Sequence, residues 1–158
     1  MNLTKVLKNA FLIMLASLVL SACATKKVQN QLQGDVYTGS DTVEYLASGV
    51  ADRVFFATNE SVLTTASRET LRKQAEWLRK NSKVNVVLEG HADERGTREY
   101  NLALGERRAN AARDYLMTYG ISGKRISTIS YGKEKPVNPA SSPLAWSQNR
   151  RSVTVKVN

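Results

Sequence analysis

The chain has 158 residues, enough for one domain with a hydrophobic core, and its 23 Lys and Arg against 14 Asp and Glu give a formal net charge of +9. This charge favours anionic partners, but the aromatic residues are not interleaved with the basic ones as in a stacking surface, so nucleic acid is not expected as a partner. The single cysteine excludes an internal disulfide, and the single histidine makes a metal site at His91 and Asp93 unexpected. No cofactor is predicted.

The N-terminus has the three parts of a secretory signal. Lys5 and Lys8 are basic, residues 10–20 are apolar, and small residues precede Cys23. The apolar run is too short to span a bilayer. The run Leu20-Ser21-Ala22-Cys23 resembles the lipobox of bacterial lipoproteins.

The lipobox resemblance implies that residues 1–22 are a signal peptide and that Cys23 becomes the first mature residue, carrying diacylglycerol and an N-acyl chain. Several acyl chains, at ~0.8 kcal/mol per buried CH₂, hold a protein on a membrane essentially permanently. Ala24 stands where an acidic residue would signal retention at the inner membrane, so the resemblance implies the periplasmic face of the outer membrane.

The mature chain divides by composition. From Ala24 to about Tyr45 it is polar and lacks apolar periodicity, which is typical of a flexible tether. We therefore expect residues 23–46 to form the lipidated N-terminus and tether, and residues 47–158 to form one folded domain.

The folded part alternates between β-type and helical periodicity. The predicted elements, in chain order, are a strand over 53–57, a helix from Thr64 or Thr65 to about Asn81, a strand over 84–88, a helix from about Arg98 to Tyr119, a strand over 126–131, a long loop over 132–147 and a strand over 152–157. The order β-α-β-α-β-β predicts an α+β fold. It is a two-layer sandwich with the helices packed on one face of a mixed four-stranded sheet.

The second helix carries a cation within its apolar arc, at Arg108. A permanent charge that points toward a core is costly unless an anion meets it. Asn101 and Gly105 share its edge of the helix. Asp93, in the glycine-bounded loop directly before the helix, is the nearest candidate partner.

Two interpretations of Asp93 and Arg108 remain open from their spacing. They could neutralise each other as a structural ion pair. Alternatively, they could face one cleft and hold a zwitterion, with Asp93 taking an ammonium and Arg108 gripping a carboxylate through two N–H groups.

A catalytic function is a third class. Glu89, Asp93 and Glu94 could supply acids for a cell-wall-modifying envelope enzyme, with Asp93 or Glu94 in that role. Neither a nucleophile with its base nor a supporting triad can be argued from the sequence. We therefore expect a protein that is not an enzyme and has no catalytic residues.

Two longer motifs carry a family resemblance. Gly90 to Gly96 reads GHADERG and is followed by YNLALGERRANA over 100–111. Together they resemble the signature of the OmpA-like peptidoglycan-binding domain, in the form found in peptidoglycan-associated lipoproteins (Pal). The runs over 129–136 and 149–151 match the same lipoproteins, and the likeness covers about Val50 to Val157.

The resemblance implies a site and its partners. In this family an aspartate and an arginine clasp the ammonium and carboxylate of meso-diaminopimelate in the peptidoglycan stem peptide, which by motif position are Asp93 and Arg108. The remaining implied site residues are Asn101, Leu104, Thr97 with its neighbouring backbone, and Asn59.

One position departs from the family pattern, because Thr58-Asn59 stands where Phe-Asp is common. Asn59 can hydrogen-bond a ligand but brings no charge.

The resemblance further implies TolB and the Tol system as partners, with a role in envelope integrity and cell division. A wall binder of the same fold at the inner membrane or on a motor is the alternative within the family, and such proteins usually have a spanning helix where this chain has Cys23.

Overall fold

The computed structural model describes residues 32–33, 35–39 and 41–157. The predicted signal peptide, Cys23 and the first part of the tether lie outside these residues. The strands are β1 (Leu32–Gln33), β2 (Val36–Tyr37), β3 (Tyr45–Ala47), β4 (Val50–Ala51), β5 (Arg53–Phe55), β6 (Asn85–His91), β7 (Ile126–Gly132) and β8 (Arg151–Val157). The helices are α1 (Thr65–Lys80), α2 (Arg98–Thr118), a 3-10 turn (Gly123–Arg125) and α3 (Pro143–Asn149).

The central sheet has four strands in the order β5-β8-β6-β7. Strands β6 and β7 pair in parallel, whereas β8 runs antiparallel to both of its neighbours. Helices α1 and α2 pack on one face of this sheet around a single core. The core residues of the sheet are Val54, Val86, Leu88 and Ile126. The predicted α+β fold with a mixed four-stranded sheet is confirmed.

Helix α1 begins and ends where its sequence predicts. The Thr64 hydroxyl accepts a hydrogen bond from the Ser67 backbone N–H and caps the first turn. Leu71, Ala75 and Leu78, spaced by four and three residues, are all at most 1% exposed and form the apolar stripe that meets the core.

Helix α2 begins at an equivalent cap, where the Thr97 hydroxyl accepts from the Tyr100 backbone N–H. Ala112 and Leu116 are fully buried on its inner face. The chain leaves the helix at Gly120, whose φ of 83° is the left-handed conformation that favours glycine at this position. None of the described helices is long and apolar enough to cross a bilayer.

The prediction of an unbroken loop over 132–147 is wrong, because α3 occupies Pro143–Asn149. Its start signals are present in the sequence. The Ser142 hydroxyl caps the Ala145 N–H, and Pro143 takes the first helical position, where its missing N–H costs nothing. The helix has only seven residues, too few for a periodic pattern to stand out beside three prolines.

The segment before residue 47 contacts the domain at several points. Tyr37 is 2% exposed, and its ring meets Phe55 edge-to-face at 4.7 Å. Leu46 is equally buried, in the short hairpin formed by β3 and β4. Packed structure within the described residues therefore starts ahead of the expected boundary, and the tether itself remains a prediction for residues nearer Cys23.

Candidate functional site

A cavity of about 520 Å³ opens at the carboxyl end of β6, beside the start of α2. Its walls come from the turn after β5, from the loop between β6 and α2, and from the first three turns of α2. The lining residues are Thr58, Asn59, Asp93, Arg95, Gly96, Tyr100, Asn101, Leu104 and Arg108.

Glycines allow β6, the loop after it and α2 to approach one another closely. A Cβ at Gly90 would lie 1.8 Å from the carbonyl oxygen of Gly105, so β6 and α2 are in backbone contact beneath the cavity. Gly96 turns the chain into α2 with a φ of 90°. The Ala92 N–H donates to the carbonyl of Gly132 at 2.8 Å, which fixes the loop to β7.

Asp93 is a nearly buried carboxylate, 7% exposed, held by two arginines. Arg95 donates to it three times, from its backbone N at 3.1 Å, from Nε at 3.0 Å and from Nη2 at 2.6 Å. Arg150 Nη1 lies 3.4 Å from Oδ2. Burial alone would raise the pKa of Asp93, but the hydrogen bonds and charge of Arg95, aided by Arg150, lower the pKa below its ordinary value. The carboxylate is therefore ionised at neutral pH.

Arg108 is a fully buried cation whose partners are backbone carbonyls. Its Nε donates to Glu60 O at 2.8 Å, Nη1 to His91 O at 2.8 Å and Nη2 to Ala57 O at 3.0 Å. These bonds use three of the five N–H groups of a guanidinium. Burial, and then the charge of Arg150, lower the pKa of Arg108 to about 10, so it stays protonated at neutral pH.

Asp93 and Arg108 line the same cavity, but among the described residues no salt bridge joins them. Asp93 pairs with Arg95 and Arg150, and Arg108 is held by carbonyl oxygens. The interpretation of the two residues as a structural ion pair is therefore wrong. They share a cavity as two opposite charges, each with its own supports.

The other residues implied by the resemblance take different positions. Leu104 supplies an apolar patch of the wall, and Asn101, 2% exposed, donates from Nδ2 to Arg95 O at 2.7 Å. Asn59 lines the mouth with a φ of 60° and accepts a hydrogen bond from the Tyr100 hydroxyl. Thr97 is not part of the lining. It caps α2, and its role in binding stays a prediction.

Sequence reasoning missed four lining residues, namely Thr58, Arg95, Gly96 and Tyr100. A signal for Arg95 was present, because it lies two residues after Asp93 in a loop, within reach of a carboxylate. Thr58 is brought to Arg95 only by the fold, since 37 residues separate the two along the chain.

The remaining candidates for acid–base chemistry or metal binding are His91 and Glu94. His91 is 2% exposed, and its pKa is lowered to about 3 by burial, then by the charge of Arg151, so the imidazole is neutral. Across the part of the chain that the structure describes, no group of three or more His, Cys, Asp or Glu side chains is placed to hold a metal ion. A hydrogen bond from Trp146 lowers the pKa of Glu94.

Known proteins match this chain over most of its length. The model of the OmpA family matches residues 55–150. A peptidoglycan-associated lipoprotein of Rhizobium meliloti (strain 1021) is 49% identical over 144 residues, which cover 88% of this chain and 82% of the relative. The protein of the same name from Brucella melitensis is 46% identical over 144 residues, covering 88% and 86%. The chain belongs to the family of peptidoglycan-associated lipoproteins.

Solved structures agree with this placement. The crystal structure of the peptidoglycan-associated lipoprotein from Burkholderia pseudomallei aligns with a TM-score of 0.65 and 35% identity, covering 67% of this chain and 90% of that one. The C-terminal domain of Helicobacter pylori MotB aligns with a TM-score of 0.64 at 20% identity, covering 68% and 84%, which shows a shared fold alone. The fold of the peptidoglycan-associated lipoproteins thus extends to proteins of a different name.

Proposed function

We propose that this protein binds peptidoglycan non-covalently and tethers the outer membrane to it, with the cavity at Asp93 and Arg108 as the binding site for meso-diaminopimelate. The observation that carries the proposal is the presence of an ionised carboxylate and a protonated guanidinium in one cavity without a salt bridge between them. The names of the relatives add the wall polymer as the ligand.

The side chain of meso-diaminopimelate ends in one carbon that bears both an ammonium and a carboxylate. Asp93 suits the ammonium because it is ionised and almost out of solvent, where charge-assisted hydrogen bonds are strong. Leu104 suits the aliphatic part of the side chain, and Asn59 offers an amide at the mouth.

Arg108 suits the carboxylate through its charge and its remaining N–H groups. It lies in the cavity wall with none of its surface open to solvent. A direct hydrogen bond from Arg108 to a ligand carboxylate requires a slight movement of the neighbouring side chains. The electrostatic attraction between the guanidinium and the carboxylate requires no movement. The wholly buried position also means that the guanidinium is already ordered before binding, which lowers the entropic cost.

The second anchor is the lipid proposed at Cys23. A chain bound at both ends gains effective concentration, since binding at one end confines the other end near its ligand. Modest affinity of the cavity for each stem peptide is then sufficient to hold the membrane close to the wall. Through its family resemblance, the protein is further proposed to act with TolB and the Tol system in envelope integrity and cell division.

The electrostatics of the site weigh against a wall-modifying enzyme. A general acid at neutral pH needs a raised pKa, so that it holds a proton to give. The pKa values of Asp93 and Glu94 are both lowered, and each carboxylate already accepts a hydrogen bond from a neighbouring side chain.

Sedimentation with purified sacculi tests the proposal. The non-lipidated mature chain, with Cys23 replaced by serine, is expected to pellet with diaminopimelate-containing sacculi and to be released by excess L-Ala-D-Glu-meso-diaminopimelate tripeptide. Recovered muropeptides are expected to be unaltered. Protein that stays in the supernatant would contradict wall binding, and new muropeptide products would favour the enzyme.

Metabolic labelling with a fatty-acid analogue tests the membrane anchor. The wild-type chain is expected to take up label and to fractionate with the outer membrane. The Cys23→Ser variant is expected to be unlabelled and free in the periplasm. Label on the serine variant would contradict the assignment of Cys23.

A further inference from the structure

Arg95 occupies the position on Asp93 that a ligand ammonium requires. Its Nη2 lies 2.6 Å from Oδ2 and its Nε lies 3.0 Å from Oδ1, so both oxygens of the carboxylate already face a guanidinium. Arg150 adds one longer contact, 3.4 Å to Oδ2. A cation that enters the cavity therefore competes with an internal one.

Of these two arginines, only Arg95 is placed to leave. Its side chain is 41% exposed, while that of Arg150 is 2% exposed and is fixed by Asp35 and by the carbonyl of Phe56. On its outer side Arg95 stacks on the Trp146 ring at 4.4 Å and approaches Thr58 Oγ1 at 3.4 Å. Asn101 holds the backbone carbonyl of Arg95, so the side chain can swing while the loop stays in place.

We propose that Arg95 is a specificity-determining residue, an internal cation that makes the cavity select a ligand bearing an ammonium and a carboxylate together over a ligand bearing an ammonium alone. This inference rests on the proposed function and deepens it. It concerns the discrimination between wall peptides whose third residue is meso-diaminopimelate and those whose third residue is lysine.

The charges of the cavity disfavour a ligand that brings an ammonium alone. The cavity wall holds Arg95 and Arg108, and Arg150 contacts Asp93 from behind while it also pairs with Asp35, so three guanidiniums are balanced by two carboxylates. A lone ammonium that replaces Arg95 on Asp93 leaves that guanidinium without its carboxylate and adds a fourth cation to the site. Like charges brought together in this way are a source of discrimination against the wrong ligand.

A zwitterionic ligand avoids this cost. Its ammonium takes Asp93, and its carboxylate offers the displaced Arg95 and the neighbouring Arg108 a new anion. Each charge that loses a partner gains another, and the net charge of the cavity is unchanged. Arg95 thus weakens the binding of a lysine side chain more than it weakens the binding of diaminopimelate.

The test is an NMR titration of the non-lipidated mature chain with two tripeptides, L-Ala-D-Glu-meso-diaminopimelate and L-Ala-D-Glu-L-Lys. The wild type is expected to prefer the first. In Arg95→Ala this preference is expected to fall by about fivefold or more, chiefly because the lysine peptide binds more tightly. Arg95→Gln, which keeps a donor for Asp93 but no charge, is expected to show the same fall.

Arg98→Ala is the matched control, because it also removes one arginine, three residues after Arg95. Arg98 does not line the cavity, and its Nε lies 3.3 Å from Glu134 Oε1. The preference of this variant is expected to equal that of the wild type. If the wild type binds the diaminopimelate peptide but the Arg95 variants keep or increase the preference for it over the lysine peptide, the proposed role of Arg95 is overturned and the proposed function stands. If the wild type binds neither peptide, both the proposed function and the role of Arg95 are overturned.

Discussion

Gly90 and Gly105 put strand β6 and helix α2 in direct backbone contact, since a Cβ on Gly90 would lie 1.8 Å from the Gly105 carbonyl oxygen. A Cβ on Gly105 would in turn lie 2.9 Å from the carbonyl oxygen of Gly90. Neither backbone can yield without moving a whole element. The contact sets how close α2 approaches the sheet, and with it the depth at which Arg108 lies beside the loop that carries Asp93.

Gly90→Ala is therefore expected to destabilise the domain strongly. The added methyl group forces β6 and α2 apart, and overpacking of this kind costs about 3 kcal/mol. Urea unfolding measures the loss. Gly123→Ala is the control, because its Cβ would meet only the ends of two flexible side chains, Met117 at 3.3 Å and Arg113 at 3.7 Å. Equal stability of the two variants would contradict a rigid contact between β6 and α2.

Arg108→Ala is expected to lower the free energy of unfolding by about 3 kcal/mol or more. The truncation leaves the carbonyls of Glu60, His91 and Ala57 without their buried donor, and each lost partner costs about 1–3 kcal/mol. Chemical denaturation measures the loss. The exposed neighbour Arg107→Ala is expected to change stability by about 0.5 kcal/mol or less. A stable Arg108→Ala variant would show that the three bonds are weak.

Stability is expected to fall as pH drops below about 6.5, because the unfolded chain protonates its histidine while His91 in the fold stays neutral until about pH 3. Burial, and then the positive charges of Arg151, Arg53 and Lys135, lower the pKa of His91. The carboxylate of Glu89, which has the opposite charge, lies 3.6 Å from Nε2. The expected loss is about 2 kcal/mol between pH 7.5 and 5.

Since the chain has one histidine, this slope can be assigned without ambiguity. Denaturation at a series of pH values measures it, and His91→Gln is expected to remove it. The depressed pKa values of Asp35 and Asp93 also reduce stability on acidification, but at lower pH. A folded-state imidazole that titrates near pH 6.5 by NMR would contradict the buried neutral form.

A chain that starts at residue 47 is expected to be less stable than one that starts at Ala24. It lacks Tyr37 and Leu46, each 2% exposed, and burial of two such side chains contributes about 3 kcal/mol or more. It also lacks Asp35, whose carboxylate lies 2.9 Å from Arg150 Nη2. Thermal unfolding compares the two chains. Identical stability would mean that the segment before residue 47 contributes nothing to the fold.

The long elements and the charged pair could be predicted from the sequence, because their signals are local. Thr64 caps α1, and the apolar stripe from Leu71 to Leu78 spans about two turns. Arg108 stands out because a cation within an apolar arc demands an explanation. In both cases the residues that reveal the feature lie within one helix or just before it.

Apart from Arg95, the partners of Asp93 and Arg108 could not be predicted, because they depend on distant contacts. Arg150, which supports Asp93 from behind, is 57 residues away along the chain. The carbonyl of Ala57, which accepts from Arg108, is 51 residues away and belongs to a turn with no sequence signal for that role. The sequence offers Arg108 an anion in the preceding loop, Asp93, whereas the arginine that binds Asp93 most closely is Arg95, two residues after it.

Titration calorimetry of the L-Ala-D-Glu-meso-diaminopimelate tripeptide against the wild type and Asp93→Asn tests the proposed binding site most directly. The amide keeps the shape of the carboxylate but lacks its charge, and loss of a nearly buried charge-assisted contact is expected to weaken binding tenfold or more, which is about 1.4 kcal/mol or more. Circular dichroism checks that the variant is folded. Equal affinity of a folded Asp93→Asn variant would contradict the assignment of Asp93 to the ligand ammonium.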